Sequence, residues 1–267
     1  MKLDKINSKL LSHYLYNAVT SDSTELEVLF PEYDGEKQYY KQFITQDLFR
    51  SLIKRLIEIE FIQGYIDDNG QIVELSNGYE ELDISIRDSS LRMTLDNKIN
   101  IQNFCKINRL TEDVVHKRTY KTRFKFDRDD VDLMKYEKLP TSQSNFHSEL
   151  WKFKANLKKE YTINSRGDYT DDPVLNSKIK KDEERFFKHS NFRNEFKYFR
   201  YKKRYSFLVP SSVDRDGRFN FRIDLTVVKD SKVRYAKTLH ESGVLENDPH
   251  YEIEIECKND LCFKLDK

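Results

Sequence analysis

The chain has 267 residues, a length that fits one large domain or two small ones, and nothing in its composition forces a division. Hydrophobic residues make up 37% and charged residues 35%, while 18 phenylalanines and 16 tyrosines can build a core, which argues against disorder throughout. Lys and Arg number 47 against 46 Asp and Glu, so any attraction to a polyanion must come from local clusters of basic side chains. We therefore expect a single domain over residues 1–267.

The cysteines and the lack of long apolar runs indicate where such a protein resides. Cys105, Cys257 and Cys262 are an odd number without CxxC spacing, which favours reduced thiols over disulfides or a zinc site. No run of about 18 apolar residues occurs, and the first residues lack the apolar segment of a signal peptide. We expect an intracellular, cytoplasmic protein without a membrane partner.

Taken in chain order, the predicted elements begin with helices and continue mainly as strands. Apolar residues at helical spacing predict amphipathic helices over about 4–19 and 46–62, and a third helix over about 175–188. Most other segments alternate with period two and are separated by turn signals at 68–70, 76–78 and 214–217. This pattern predicts a mainly antiparallel sheet of about eight strands with flanking helices.

Four of the predicted strands carry charge on one face and apolar side chains on the other. Two of these polar faces are acidic, one is basic and one is mixed. In chain order the polar residues are Glu25 and Glu27; Arg200, Lys202 and Arg204; Arg222, Asp224 and Thr226; and Glu252, Glu254 and Glu256.

Two interpretations fit these strands: solvated faces of a two-layer sheet, or the polar lumen of a β-barrel whose apolar outer wall is covered by helices. Neighbouring carboxylates on one strand face lie ~7 Å apart. At an effective dielectric of about 20, such a pair repels by roughly 2 kcal/mol. An entirely acidic row therefore favours a bound cation, and the segregation of charge signs between strands favours the barrel.

The chemistry expected of such a lumen is metal-assisted transfer of a phosphoryl group to water. Carboxylates without His or Cys suit Mg²⁺ or Mn²⁺, and facing Lys and Arg side chains suit phosphate oxygens. There is no GxxxxGK[ST] loop and no GxGxxG spacing. No cysteine has an arginine six residues later, as a cysteine phosphatase requires, and the six histidines show no metal-ligand spacing.

The charged strands resemble those of the triphosphate tunnel metalloenzymes, and among these the metal-dependent RNA triphosphatases of fungal and large DNA virus capping systems. The resemblance spans about 25–256 and includes weaker matches at 91–94, 115–118 and 151–160. Other branches of the superfamily typically carry ExExK on the first strand. Here the fifth position is Leu29, which favours the RNA triphosphatase branch.

The resemblance implies a role for each site residue. It assigns Glu25, Glu27 and Glu256 to the metal, and Glu254 to the metal through a water. Catalytic roles fall on Glu160, Glu254, Lys202 and Arg204, with Glu160 orienting the attacking water. The implied phosphate-binding residues are Arg92, Lys117, Lys202, Arg204 and Arg222, and the residues that orient them are Arg200, Asp224, Thr226 and Glu252.

Two of these assignments have a purely structural alternative. Glu160 also fits an exposed acid at the end of a strand. Lys117 lies in a segment, 117–125, with five basic residues in nine, so a solvated strand is an equal interpretation there.

We therefore expect an RNA 5′-triphosphatase that uses Mg²⁺ or Mn²⁺ in the first step of mRNA capping, with metal-dependent hydrolysis of nucleoside triphosphates as a side activity. No KxDG motif of a nucleotidyl transferase is present, so a guanylyltransferase and a methyltransferase are expected on a longer polypeptide or as separate subunits. The alternatives are a nucleoside triphosphatase or tripolyphosphatase using the same tunnel, and a non-catalytic polyphosphate-binding module.

Overall fold

The structure is a computed structural model that describes residues 24–30, 32–34, 39–41, 44–66, 72–115, 117–123, 145–148, 153–163, 173–210 and 219–257. The helix predicted over 4–19 lies outside these residues, so it stays a prediction.

Strands dominate the described residues. The thirteen described strands are β1 (Thr24–Leu29), β2 (Glu32–Asp34), β3 (Tyr39–Lys41), β4 (Ile62–Ile66), β5 (Ile72–Glu74), β6 (Tyr79–Ile86), β7 (Leu91–Asp96), β8 (Lys117–Arg123), β9 (Asn145–Ser148), β10 (Phe153–Thr162), β11 (Lys197–Pro210), β12 (Phe219–Asp230) and β13 (His250–Cys257). The described helices are α1 (Gln46–Glu58), α2 (Lys98–Ile107), α3 (Pro173–Phe187), α4 (His189–Asn194) and α5 (Leu239–Ser242).

Eight of the strands are joined in one circuit of antiparallel pairings, in the order β11–β12–β13–β1–β10–β8–β7–β6 and back to β11. The circuit is narrow at two seams, because β1 with β13 and β7 with β8 share only four residue pairs each. The sheet thus curls into a barrel that is not closed along the full length of its strands. This confirms the predicted mainly antiparallel fold with flanking helices.

Helix α1 begins at the predicted residue but ends earlier than predicted. Thr45 caps it by accepting a hydrogen bond from the Leu48 N–H at 3.2 Å. The prediction over 46–62 was wrong in its last residues, because Glu60 takes a positive φ of 60° and Ile62 begins β4. Helix α3 begins at Pro173, a favourable first position for proline, and confirms the helix predicted over about 175–188.

Helix α2 was missed by the sequence analysis because it is short and has only two buried residues, Ile101 and Phe104. Its ends are set by two asparagines. Asn97 accepts hydrogen bonds from two backbone N–H groups of the first turn, and Asn108 ends the helix in the left-handed conformation. None of the described helices is both long and apolar enough to cross a membrane.

The apolar faces of the barrel strands point outward and are covered by the helices. On one side, residues of β6, β7 and β11, such as Ile84 and Phe199, pack against α2, α3 and α4. On another side, Phe49 and Leu56 of α1 pack against Phe207 of β11 and Leu225 of β12. Because strand side chains alternate, the charged faces of these strands point into the barrel. The polar-lumen interpretation is thereby confirmed over the solvated sheet face.

Candidate active site

The basic row of β11 lies in the lumen between carboxylates on its two neighbouring strands. Lys202 is only 5% exposed, and its Nζ lies 2.8 Å from Glu81 Oε2 and 3.0 Å from Asp83 Oδ2 of β6. Arg204 lies between β6 and β12, with Nη1 3.1 Å from Asp224 Oδ2 and Nη2 3.9 Å from Glu81 Oε2. The buried Lys202 and the half-buried Arg204 are thus held in place by carboxylates of both neighbouring strands.

Asp83 connects Lys202 to the next strand, β7. Its Oδ2 lies 3.1 Å from Arg92 Nη1, and its Oδ1 accepts a hydrogen bond from Thr94 Oγ1 at 2.8 Å. Burial would raise the pKa of Asp83, but Lys202 and Arg92 outweigh it and hold the pKa well below its usual range. Asp83 therefore carries a full negative charge and fixes both Lys202 and Arg92.

Asp224 has the same function on β12. It is fully buried, accepts a hydrogen bond from Ser206 Oγ at 2.6 Å and pairs with Arg204 and with Arg222, whose Nε lies 3.1 Å from Oδ2. Burial opposes ionisation of Asp224, but Arg222 and Arg204 lower its pKa below the ordinary value. Arg222 also forms an ion pair with Glu256 of β13, so the mixed strand links the basic row to the acidic row.

Arg200 is held by a second group of acids. It forms an ion pair with Glu252, and its Nε lies 3.6 Å from Asp230 Oδ1. His250 Nε2 lies 3.2 Å from the other oxygen of Glu252. Burial raises the pKa of Glu252, but His250 and Arg200 lower it below its usual value. The predicted orienting residues Arg200 and Glu252 are thus brought together.

The acidic row lies across the junction of β1 and β13. Glu27 is directly opposite Glu256 in the strand register and is 7% exposed. Burial, reinforced by the charge of Glu27, raises the pKa of Glu254 to about 7, although Arg204 acts in the opposite direction. Two predicted metal ligands, the buried Glu27 and the half-buried Glu254, therefore repel each other.

For some predicted site residues the structure describes the backbone but not the side chain. Glu25 lies opposite Lys158 and Glu160 opposite Lys121 in the strand register, but their side chains are outside the described part of the structure. Lys117 is opposite Thr94, on the face that carries Asp83, and is exposed. Thr226 is buried and lies opposite Arg204 and Glu252 in the strand register. Its hydroxyl has no hydrogen-bond partner among the described residues.

The acids of β6 were missed by the sequence analysis. Glu81 and Asp83 alternate with Leu82, Ile84 and Ile86, which is the same period-two pattern that identified the other charged strands. The signal was therefore present in the sequence. It was weaker because Glu80, on the opposite face, interrupts the alternation, and because Lys202 and Arg204, which pair with Glu81, lie more than a hundred residues away in the sequence.

The lumen also offers donors for a metal ion. Among the described side chains, no three or more His, Cys, Asp or Glu residues are grouped as a metal site. The residues at the acidic row nevertheless fit a hard divalent cation, because the buried Glu27 and the half-buried Glu254 are carboxylates whose repulsion such a cation would relieve. The side chain of Glu25, predicted to complete the set, falls outside the described residues.

The eight-stranded antiparallel barrel, with charged side chains lining its lumen and helices on its outer wall, is a triphosphate tunnel fold, as the strand motifs predicted. Among solved structures, the chain is similar to the capping-enzyme triphosphatase of mimivirus. In a monoclinic form that protein has 18% sequence identity and a TM-score of 0.54, with 96% of this chain and 90% of that chain covered. A triclinic form has 17% identity and a TM-score of 0.52, with 96% and 89% covered.

A third similar structure is the RNA triphosphatase domain of a trifunctional mimivirus mRNA capping enzyme, with 18% identity, a TM-score of 0.51 and coverage of 96% of this chain and 90% of that chain. No protein-family model and no curated protein matches the sequence. At this level of identity, the likeness establishes the fold.

The charge network of the lumen predicts a large stability effect at Asp224. Replacing it with asparagine leaves Arg204 and Arg222 buried with one less anion, so Asp224→Asn should lower the free energy of unfolding by roughly 3 kcal/mol. Chemical denaturation of the parent and the variant measures this. The control Asp88→Asn changes an acid whose side chain is 85% exposed and should have an effect within about 0.5 kcal/mol. Equal effects at both positions would contradict the network.

Proposed function

We propose that the chain is a metal-dependent RNA 5′-triphosphatase, which hydrolyses the γ-phosphate of triphosphate-ended RNA as the first step of mRNA capping. The observation that carries the proposal is the division of one lumen into two walls. Lys202 and Arg204 form part of a basic wall, whereas Glu27 and Glu254 belong to an acidic wall. A triphosphate and a divalent cation together match both walls, whereas either of them alone matches only one.

In this proposal the basic wall binds the phosphates. Lys202, Arg204 and Arg222 line the lumen next to one another, and Arg92 shares Asp83 with Lys202. Their charges would hold the terminal phosphate and neutralise the charge that develops on its oxygens in the transition state. Arg200, Asp224, Thr226 and Glu252 would orient these side chains, and Lys117 is proposed to contact the phosphates from the exposed start of β8.

The acidic wall would hold Mg²⁺ or Mn²⁺ through Glu25, Glu27 and Glu256, and through Glu254 by way of a water. When bound, the metal would polarise the phosphate oxygens and offset the repulsion between the carboxylates. In the structure Glu256 is paired with Arg222, so the side chain of Glu256 connects the acidic wall to the basic wall. We propose that Glu160 orients a water for attack on the γ-phosphorus. The bond from that phosphorus to the β–γ bridging oxygen breaks, orthophosphate leaves, and the RNA keeps a 5′-diphosphate.

The diphosphate end defines the expected partners. Capping requires guanylyl and methyl transfer after this step, and the similar mimivirus enzyme is described as trifunctional. We propose that these later activities are supplied by domains on a longer polypeptide or by separate subunits, in the cytoplasm.

The direct test is phosphate release from triphosphate-ended RNA. With Mg²⁺ or Mn²⁺ present, the protein should convert this RNA into diphosphate-ended RNA and orthophosphate, and chelation should abolish the reaction. ATP and inorganic tripolyphosphate, assayed in parallel, separate an RNA triphosphatase from a general triphosphatase. Faster turnover of tripolyphosphate than of RNA would overturn the proposed substrate class, and no release from any of the three would overturn the enzyme itself.

Two adjacent lysines test the basic wall. Lys202 points into the lumen, whereas Lys203 points outward, with its Nζ 5.8 Å from the ring centre of Tyr205. Lys202→Ala should lower kcat/KM at least about tenfold, which corresponds to ~1.4 kcal/mol of transition-state stabilisation. Lys203→Ala should leave activity nearly unchanged. Similar losses in both variants would show that the face assigned to substrate is wrong.

Glu254 tests the acidic wall through stability as well as activity. Glu254→Gln keeps the shape of the side chain but removes a charge that Glu27 repels, so the metal-free variant should be at least as stable as the parent. Hydrolysis should be nearly abolished. Mn²⁺ should raise the melting temperature of the parent and of the exposed control Glu246→Gln, but much less that of Glu254→Gln. An undiminished Mn²⁺ shift in Glu254→Gln would remove this residue from the metal site.

A further inference from the structure

Glu81 lies between two cations of the proposed phosphate-binding wall, Lys202 and Arg204. Its Oε2 lies 2.8 Å from Lys202 Nζ and 3.9 Å from Arg204 Nη2, and the residue is only 9% exposed. Among the ion pairs of the described residues, Glu81 is the acid that contacts both cations. Asp83 contacts Lys202 but not Arg204, and Asp224 contacts Arg204 but not Lys202.

Glu81 differs from these two aspartates in how it is held. Asp83 also accepts a hydrogen bond from Thr94, and Asp224 also accepts one from Ser206. The side-chain ion pairs of Glu81 within the described residues are with Lys202 and Arg204 alone. Among the described residues, Glu81 is therefore attached to the wall by the same two charges that a phosphate would need.

The charge state of Glu81 makes it a competitor for phosphate. Burial raises the pKa of Glu81, but Lys202 and Arg204 outweigh burial and lower the pKa below the usual value, so the side chain is an anion at neutral pH. A phosphate that binds Lys202 and Arg204 must approach this carboxylate closely. Like charges repel strongly away from bulk water, so the carboxylate of Glu81 weakens the binding of a phosphate to the same two cations.

We propose that Glu81 is a positioning residue that acts as an internal counter-anion: it holds Lys202 and Arg204 ready in the empty tunnel, and the terminal phosphate displaces it. The proposal rests on the proposed function in so far as the displacing group is the γ-phosphate of the substrate. It assigns Glu81 two effects. The first is to keep the cations ordered before binding, and the second is to weaken the retention of phosphate after cleavage, so that orthophosphate leaves.

The matched control lies one residue away. Glu80 is on the same strand, and its side chain points to the opposite face, where it interacts with Tyr201 of β11. Glu80→Gln removes the same charge from the same strand without altering the lumen. A general effect of charge or of β6 stability would therefore change both variants alike.

The experiment measures binding of inorganic phosphate by calorimetry in the presence of Mn²⁺, together with hydrolysis of triphosphate-ended RNA. Glu81→Gln should bind phosphate at least about tenfold more tightly than the parent, because its competing charge is gone. In hydrolysis, KM should fall and kcat should fall with it, and added phosphate should inhibit at lower concentration. Glu80→Gln should match the parent in all of these quantities.

A purely structural role would give a different result, since loss of structure weakens phosphate binding and lowers kcat without lowering KM. Unchanged or weaker phosphate binding by a folded Glu81→Gln variant would overturn the proposal. If that variant does not fold, Glu81→Asp replaces it: the shorter acid reaches Lys202 and Arg204 less well, so phosphate should bind about threefold more tightly, and equal or weaker binding would overturn the proposal.

The two proposals can fail separately. Tighter phosphate binding by Glu81→Gln in a protein that releases no phosphate from RNA would support the counter-anion and reject the RNA triphosphatase. Hydrolysis of RNA by the parent, with unchanged phosphate affinity in Glu81→Gln, would support the enzyme and reject the counter-anion.

Discussion

The need of buried charges for partners of opposite sign governs this structure. Lys202 and Asp224 are almost fully buried in the lumen, where an unpaired charge would cost several kcal/mol. Lys202 pairs with Glu81 and Asp83 of β6, whereas Asp224 pairs with Arg204 of β11 and with Arg222 of its own strand. The register of β11 against β6 and β12 therefore decides whether these charges are compensated. A shift of β11 by one residue would turn Lys202 outward and bring apolar side chains inside. The ion pairs and the outer apolar packing therefore specify the same register.

The charges of the lumen are compensated to different degrees at its two walls, and this difference matches the chemistry proposed for each wall. Around Asp83 and Asp224, cations outweigh the cost of burial and lower both pKa values. Around Glu254 the balance reverses, and its pKa rises to about 7. Charge compensation is thus internal at the basic wall and incomplete at the acidic wall. The same protein therefore holds the side chains that are proposed to bind phosphate in a fixed arrangement and keeps a place suited to a cation.

The helices contribute to the site indirectly. Helix α1 covers the outer faces of β11 and β12, while α2, α3 and α4 cover those of β6, β7 and β11. Ile84 and Phe199 lie on these outer faces and are completely buried, directly behind strands whose other side chains line the lumen. Apolar burial outside and charge pairing inside therefore stabilise the same strands. This is why a barrel with so polar an interior can be built from strands that are apolar on one face only.

The sequence by itself determined which residues can line the lumen, because side-chain alternation is a local property of a strand. Arg200, Lys202, Arg204 and Asp224 were therefore identified in advance, and the same rule applied to β6 would have found Glu81 and Asp83. Only the tertiary structure decided which charges meet. Lys202 and Glu81 are 121 residues apart in the sequence, and nothing local to either strand indicates that they pair. The pairing of Arg222 with Glu256 and the opposition of Glu27 to Glu256 likewise depend on the order in which the strands assemble, which is a property of the whole barrel.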